Sequence, residues 1–281
     1  MGISSRVFSH IKSGLSTDNY YKSMNEALAR LNQGYTMLHY PYHVKDDESF
    51  FEAQKNLTDY CMSLLPPVEG KNILEIGCGN GIQAHYILEN YSPSLITAID
   101  LNLSNLEIAR RETQKKGIKN IEFHKDDAQK LSTIESNSMD FIINIESACH
   151  YPDKPSFFRE IARVLKPGGT YLIADILTTP RKRSALMKYW KRKMNFYHFS
   201  KGNYREELQK ANLIIEDFSD ITFKVIKSYR NYRHWLRTMK KQHFIEDMLL
   251  KLYYTIHARL NIHLLRTSRQ YCVIVGKKHL Y

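Results

Sequence analysis

The chain contains no apolar run approaching the about 18 residues that span a bilayer, so no membrane-crossing helix is expected. Its first residues lack an apolar signal region and a cleavage site. Arg6, His10 and Lys12 punctuate them, and they read as an ordinary helix. Cysteine is scarce. Cys61, Cys78, Cys149 and Cys272 show no C-x-x-C spacing, which argues against a disulfide framework or zinc site and for reduced, mostly buried thiols in a cytoplasmic protein. No H-E-x-x-H or other ligand spacing appears among the histidines, so no metal is expected. Internal repeats, low-complexity stretches, a recognisable RNA-binding module and a separate basic tail are also missing.

What is present suits a globular fold. At 281 residues and 43% hydrophobic, the chain can bury one large core, or one core with a cap. The formal net charge is +12. It favours an anionic partner such as nucleic acid, a membrane surface or an acidic substrate; the alternative is a generally basic cytosolic proteome.

The most informative stretch is Ile73-Leu74-Glu75-Ile76-Gly77-Cys78-Gly79-Asn80-Gly81. It reads as a buried strand, a glycine turn and a helix from Ile82 to about Glu89, with helix amides aimed over the turn. A second apolar strand, Leu95 to Ile99, ends in Asp100, about twenty residues past the loop, where a carboxylate can accept bonds from ribose hydroxyls. The alternative is that Asp100 only caps the helix starting near Ser104. Residues 71–177 alternate strand and helix five times, the signature of a doubly wound parallel sheet. Gly77, Asp100, Asp127 and Glu146 all fall at or just past strand ends, where such sheets bind ligands.

The glycine spacing departs from the dinucleotide fingerprint, because Ile82 stands where a third glycine would fall. Glu75 is a poor neighbour for a pyrophosphate but a good one for a cationic amino acid moiety. The run Leu74 to Gly81 thus resembles motif I of the class I S-adenosylmethionine-dependent methyltransferases. Three further segments are similar to that family in order: Lys125-Asp126-Asp127-Ala128, Met139 to Ile145, and Arg163 to Leu172. The resemblance is strong from Asn72 to Asp175. It implies a seven-stranded, mostly parallel Rossmann-like sheet whose last strand, Gln270 to Gly276, runs antiparallel. It implies S-adenosylmethionine held by Glu75, Gly77, Gly79, Gly81, Asp100, Leu101, Asp127, Ala128 and Ile145. Gly34-Tyr35 resembles the Gly-aromatic element of the family's N-terminal lid, so Tyr35 joins that set. Glu146-Ser147-Ala148-Cys149-His150-Tyr151-Pro152-Asp153 resembles the branch containing sterol and tocopherol C-methyltransferases and natural-product sugar O-methyltransferases. His150, expected beside the transferred methyl, is the candidate general base, and a structural or orienting role is the alternative. Glu146 is expected to orient the cofactor or His150, or to hold a substrate hydroxyl. Tyr151 is expected as an aromatic wall, and His39, His43 and His198 as weaker pocket candidates.

The expected organisation is an N-terminal helical lid over 1–70 and a catalytic core over 71–281, with helical cap insertions at about 180–200 and 229–265. In the first insertion Leu186, Met187, Tyr189, Trp190, Met194 and Tyr197 alternate with Lys188, Lys191, Arg192 and Lys193, reading as an amphipathic cap helix, a lipid-facing surface or an anion-steering rim. In the second, Ile245, Met248, Leu249, Leu252, Ile256 and Leu260 recur at helical spacing, and this stripe is expected in the core rather than on a membrane. The reading that follows is metal-independent O-methylation of a hydroxyl on a small hydrophobic lipid, polyketide or glycoside. C-methylation of a prenylated or sterol-like acceptor is the rival. Nucleic-acid methylation and cofactor binding without catalysis are two further classes. The absence of an Asn/Asp-Pro-Pro-Tyr element counts against base amination.

Overall fold

The computed structural model describes residues 17–32, 34–179, 196–238 and 244–280. Among the described residues two helices come first, α1 (Thr17–Asn32) and α2 (Phe50–Ser63). Ser49 caps α2 by accepting from the Glu52 amide. The alternating core follows: β1 (Asn72–Ile76), α3 (Ile82–Tyr91), β2 (Leu95–Asp100), α4 (Leu103–Lys116), β3 (Ile121–Lys125), β4 (Met139–Ile145), α5 (Lys154–Val164) and β5 (Leu165–Thr178). Then come α6 (Lys201–Lys210), β6 (Leu213–Asp220), α7 (Thr222–Thr238), α8 (Phe244–Thr267) and β7 (Arg269–Lys278).

The seven strands form one sheet in the order β3-β2-β1-β4-β5-β7-β6. The first five run parallel, and β7 is antiparallel to both β5 and β6. This is the expected doubly wound sheet with a reversed last strand. Strand order reverses between β1 and β4, and ligands in such sheets bind at the carboxyl ends beside that switch. Because side chains alternate, Leu74 and Ile76 join the apolar layer containing Phe157, Phe158 and Ile161 of α5, while Ile73 joins the layer under α2, α7 and α8. Glu75 shares the face of Ile73 and is buried there. All four cysteines are buried.

Several local expectations need correction. No helix joins β3 to β4; residues 126–138 form turns instead. Asp126 accepts from the Thr133 amide and hydroxyl, both at 2.7 Å, and Leu131 and Ile134 tuck under the sheet. β6 ends at Asp220, whose carboxylate accepts from the Thr222 amide at the start of α7. Two helices, α7 and α8, stand between β6 and β7, and the first begins at Thr222 rather than near residue 229. The apolar stripe on α8 points outward. Tyr254, Ala258, Asn261 and Leu265 form its buried face, while Met248, Leu252 and Ile256 are 46%, 56% and 57% exposed. A 3.6-residue period reports that one face is apolar, not which way it points. Of the rest of that stripe, Leu249 is also exposed, Leu260 is half-buried, and the Ile245 side chain lies outside the described residues. The basic-aromatic stretch 180–195 also lies outside them. No helix among the described residues is long and apolar enough to cross a membrane.

Candidate functional site

A cavity of about 350 Å³ opens at the carboxyl ends of β1, β2 and β4. The turn after β1 forms its floor. Gly77 has φ +75°, and a Cβ there would lie 2.3 Å from both Cβ and Oγ of Ser147. That close crossing explains the glycine without reference to a ligand. Gly81 caps α3 at φ +76°, and its Cβ position is filled by Ala109 and Phe123 at 2.8 and 2.9 Å. Gly81 therefore lets helix and strand pack closely and does not line the cavity, contrary to expectation.

Asp100 stands at the lip. One oxygen accepts from the Gly79 amide and the other from the Asn102 amide, both at 2.8 Å. It does not cap α4; Asn102 does, accepting from the Asn105 amide at 3.1 Å. Leu101, 63% exposed, and Asp127 and Ala128 line the same opening, with Ile145 beneath them. The Asp127 carboxylate accepts from the Gln129 amide and side chain.

Glu75 is a buried acid on the cavity wall. It is 2% exposed, and its Oε1 accepts from Gln83 Nε2 at 2.8 Å. Its Oε2 is buried with no partner. Burial pushes the carboxyl up to about 8. An acid on the cavity wall with one unsatisfied oxygen suits a cationic ligand group, which would restore its charge.

The segment after α1 closes one side. Gln54 donates to the carbonyls of Met37 and His39 at 2.6 and 2.7 Å, and Leu38 Cδ1 lies 2.9 Å from where a Gly79 Cβ would be. Leu38, not Tyr35, faces the cavity. Tyr35 turns outward, its hydroxyl accepting from Arg111 at 2.8 Å. A chain of buried amides holds the segment down. Asn105 accepts from Asn25 at 2.8 Å, Asn25 accepts from Asn80 at 2.7 Å, and Asn80 also donates to the Thr36 carbonyl at 2.8 Å.

At the end of β4, Glu146 adopts φ +56°, a left-handed conformation uncommon for any residue but glycine. Its Oε1 accepts from the Tyr40 amide at 2.7 Å and the Tyr271 hydroxyl at 2.8 Å. Burial raises its carboxyl to about 8. His150 ends a short 3-10 turn, Ala148–His150, with Nε2 2.8 Å from the Tyr21 hydroxyl and its ring 5.0 Å from Phe196. Tyr151 does form a wall, its hydroxyl 2.8 Å from Ser147 Oγ. A second cavity of about 110 Å³ adjoins the first and shares Tyr21, Leu38, His39, Glu146 and His150 with it. His39 Nδ1 donates to the Tyr40 carbonyl at 3.0 Å, and burial lowers its pKa to about 4. His43 and His198 line neither cavity.

Sequence reasoning thus missed Leu38, Gln83, Tyr21 and Tyr271. Gln83 alone carried a local signal, one turn into the helix after the glycine loop. The other three reach the site from elements distant in sequence.

The sheet topology and the cavity at its carboxyl edge are those of a Rossmann-like, cofactor-binding fold. Residues 67–239 match the methyltransferase domain family, and the chain belongs to it. A fatty-acid O-methyltransferase of Mycolicibacterium smegmatis is 41% identical over 108 residues, 38% of this chain and 38% of that one. The chain therefore matches about two fifths of that relative's length. Erythromycin 3''-O-methyltransferase of Saccharopolyspora erythraea is 24% identical over 73% of this chain and 69% of its own. The [4+2]-cyclase SpnF superposes with a TM-score of 0.76 at 21% identity, covering 95% of this chain and 97% of that one. That likeness concerns fold alone, and one architecture carries more than one chemistry.

The donor set fits S-adenosylmethionine. Glu75 Oε2 would meet the amino group, Asp100 the ribose hydroxyls, and Asp127 with Ala128 the adenine. Among the described residues, no group of three or more His, Cys, Asp or Glu is placed to hold a metal ion.

Proposed function

We propose that this protein transfers the methyl group of S-adenosylmethionine to a hydroxyl of a small hydrophobic acceptor. One observation carries the reading: two cavities meet at Glu146 and His150, one floored by the glycine turn and the other lined mainly by apolar and aromatic side chains. The first suits the cofactor and the second the acceptor. The cofactor supplies an electrophilic methyl, so the protein has to align the acceptor, exclude water and take one proton. His150 stands at the junction and is the proposed base, with the Tyr21 hydroxyl fixing its ring. Glu146 is proposed to tie the lid segment to the sheet through Tyr40 and Tyr271. The relatives named for O-methylation of a fatty acid and of erythromycin support an oxygen acceptor over a carbon one.

His150→Ala tests this. It should lower kcat by about 10²–10⁴-fold with little change in cofactor affinity, and remove the rise of kcat with pH. Near-native kcat at neutral pH would reject the base role and favour C-methylation, in which attack precedes proton loss.

A second reading concerns location. The outward face of α8 carries Leu252 and Ile256, followed on the same face by exposed Arg259 and Arg266. Apolar residues beside cations, on a chain of net charge +12, suit peripheral contact with an anionic phospholipid surface.

A further inference from the structure

Arg269 is 4% exposed and sits at the first position of β7, opposite Thr178 at the outer end of β5. It shares a strand face with Tyr271, which bonds Glu146, so its side chain enters the smaller cavity. Its guanidinium lies 5.4 Å from the centre of the Phe196 ring, the same ring that His150 approaches to 5.0 Å. Nε is buried without a hydrogen-bond partner, and Arg269 makes no ion pair among the described residues. This is an expensive arrangement. A guanidinium stays charged in proteins, and a buried charge without a counter-ion is strongly destabilising. A ring face offsets only a small part of that cost.

The neighbouring groups do not supply the missing charge. Burial holds Glu146, the acid on the same cavity wall, largely neutral at pH 7, and holds His39 neutral as well. The cavity therefore carries a positive charge within an apolar lining that includes Leu28, Phe50, Ile176 and Tyr229.

We propose that the acceptor is a hydrophobic carboxylic acid whose carboxylate pairs with Arg269. The proposal rests on the assignment of the smaller cavity to the acceptor. A guanidinium offers a carboxylate two parallel N–H donors, and the pairing gains strength where water is excluded. The apolar lining takes the hydrocarbon part. The carboxylate fixes which end of the acceptor enters, and so which atom reaches the methyl.

Calorimetric titration of decanoate and of decan-1-ol into the full-length protein, with S-adenosylhomocysteine present, tests this. The wild type should bind decanoate at least about tenfold more tightly than decan-1-ol. Arg269→Met should abolish that preference and leave decan-1-ol binding within about twofold. Its apo melting temperature should equal or exceed the wild type's, since the variant loses an uncompensated charge rather than a partnered one. Decanoate should raise the melting temperature of the wild type more than that of Arg269→Met, and decan-1-ol should raise both alike. Equal wild-type affinities for the two ligands, a preference that survives in Arg269→Met, or a variant that fails to fold would each overturn the proposal. The S-adenosylhomocysteine titration is read separately. Decanoate preference without nucleoside binding would keep the anion site and remove the methyl-transfer reading.

Discussion

Glu75 is an acid kept from ionising by its own burial. Between its ordinary value of 4.5 and the folded value of about 8, the folded protein holds a proton that the unfolded chain has released. Stability then falls as pH rises through that window, and the penalty is absent below 4.5. Glu75→Gln keeps the bond to Gln83 but cannot ionise. It should flatten the decline of melting temperature between pH 5 and 8, and weaken S-adenosylmethionine binding about 10–100-fold by calorimetry through loss of a charge-assisted bond. A variant that binds as tightly as wild type would remove Glu75 from the ligand set. At this scale the sequence was informative about which residues gather, because Glu75, Asp100, Asp127 and Glu146 sit at strand ends fixed by alternation. It was less informative about what each does. Gly81 and Tyr35 match motif positions, yet Gly81 serves helix packing and Tyr35 faces Arg111. Sequence spacing places a backbone at an edge and leaves the direction of a side chain to its neighbours.

At the scale of elements, the sheet and its helices follow from patterns within single segments: apolar runs of strand length, turn glycines and caps. Contacts between segments do not. The amides of Asn105, Asn25 and Asn80 join α4, α1 and the glycine turn in one buried chain, and nothing in the local pattern of any one of them announces the others. Such a chain is cooperative, since removing its middle member strands donors and acceptors on both sides. Asn25→Ala should cost about 1–3 kcal/mol by chemical denaturation. It should also speed hydrogen exchange over residues 34–41, which Asn80 reaches through the Thr36 carbonyl. Faster exchange confined to α1, with residues 34–41 unchanged, would show that the segment's bonds to Gln54, Asn80 and Glu146 hold it without Asn25. The same segment is the proposed lid. It is already bonded to Gln54, Asn80 and Glu146, so ligand binding should slow its exchange further rather than order it from a free state.

For the whole molecule, the question is where the charge of +12 meets something anionic. Length and periodicity marked α8 as amphipathic, but its direction depends on which face finds the sheet. Tyr254, Ala258 and Leu265 found it, leaving Leu252 and Ile256 outside with Arg259 and Arg266 one and three turns further along. An apolar strip alone gives weak membrane affinity, and a few cations add about 1 kcal/mol each near an anionic surface. Together they predict binding to phosphatidylglycerol-containing vesicles and little binding to phosphatidylcholine alone. Sedimentation should show that Leu252→Asp with Ile256→Asp lowers the bound fraction at least about fivefold, and that about 0.5 M salt releases the wild type, because screening shortens the reach of the cations. These two residues are more than half exposed and belong to neither apolar core cluster, so the double variant should keep the wild-type melting temperature and cofactor affinity. Vesicle binding that is equal in wild type and variant would mean that α8 does not touch lipid. Binding that survives salt but not the substitutions would mean that insertion of the apolar strip dominates and that the net charge serves another purpose, of which attraction of an acidic acceptor toward Arg269 is the one the interior already suits.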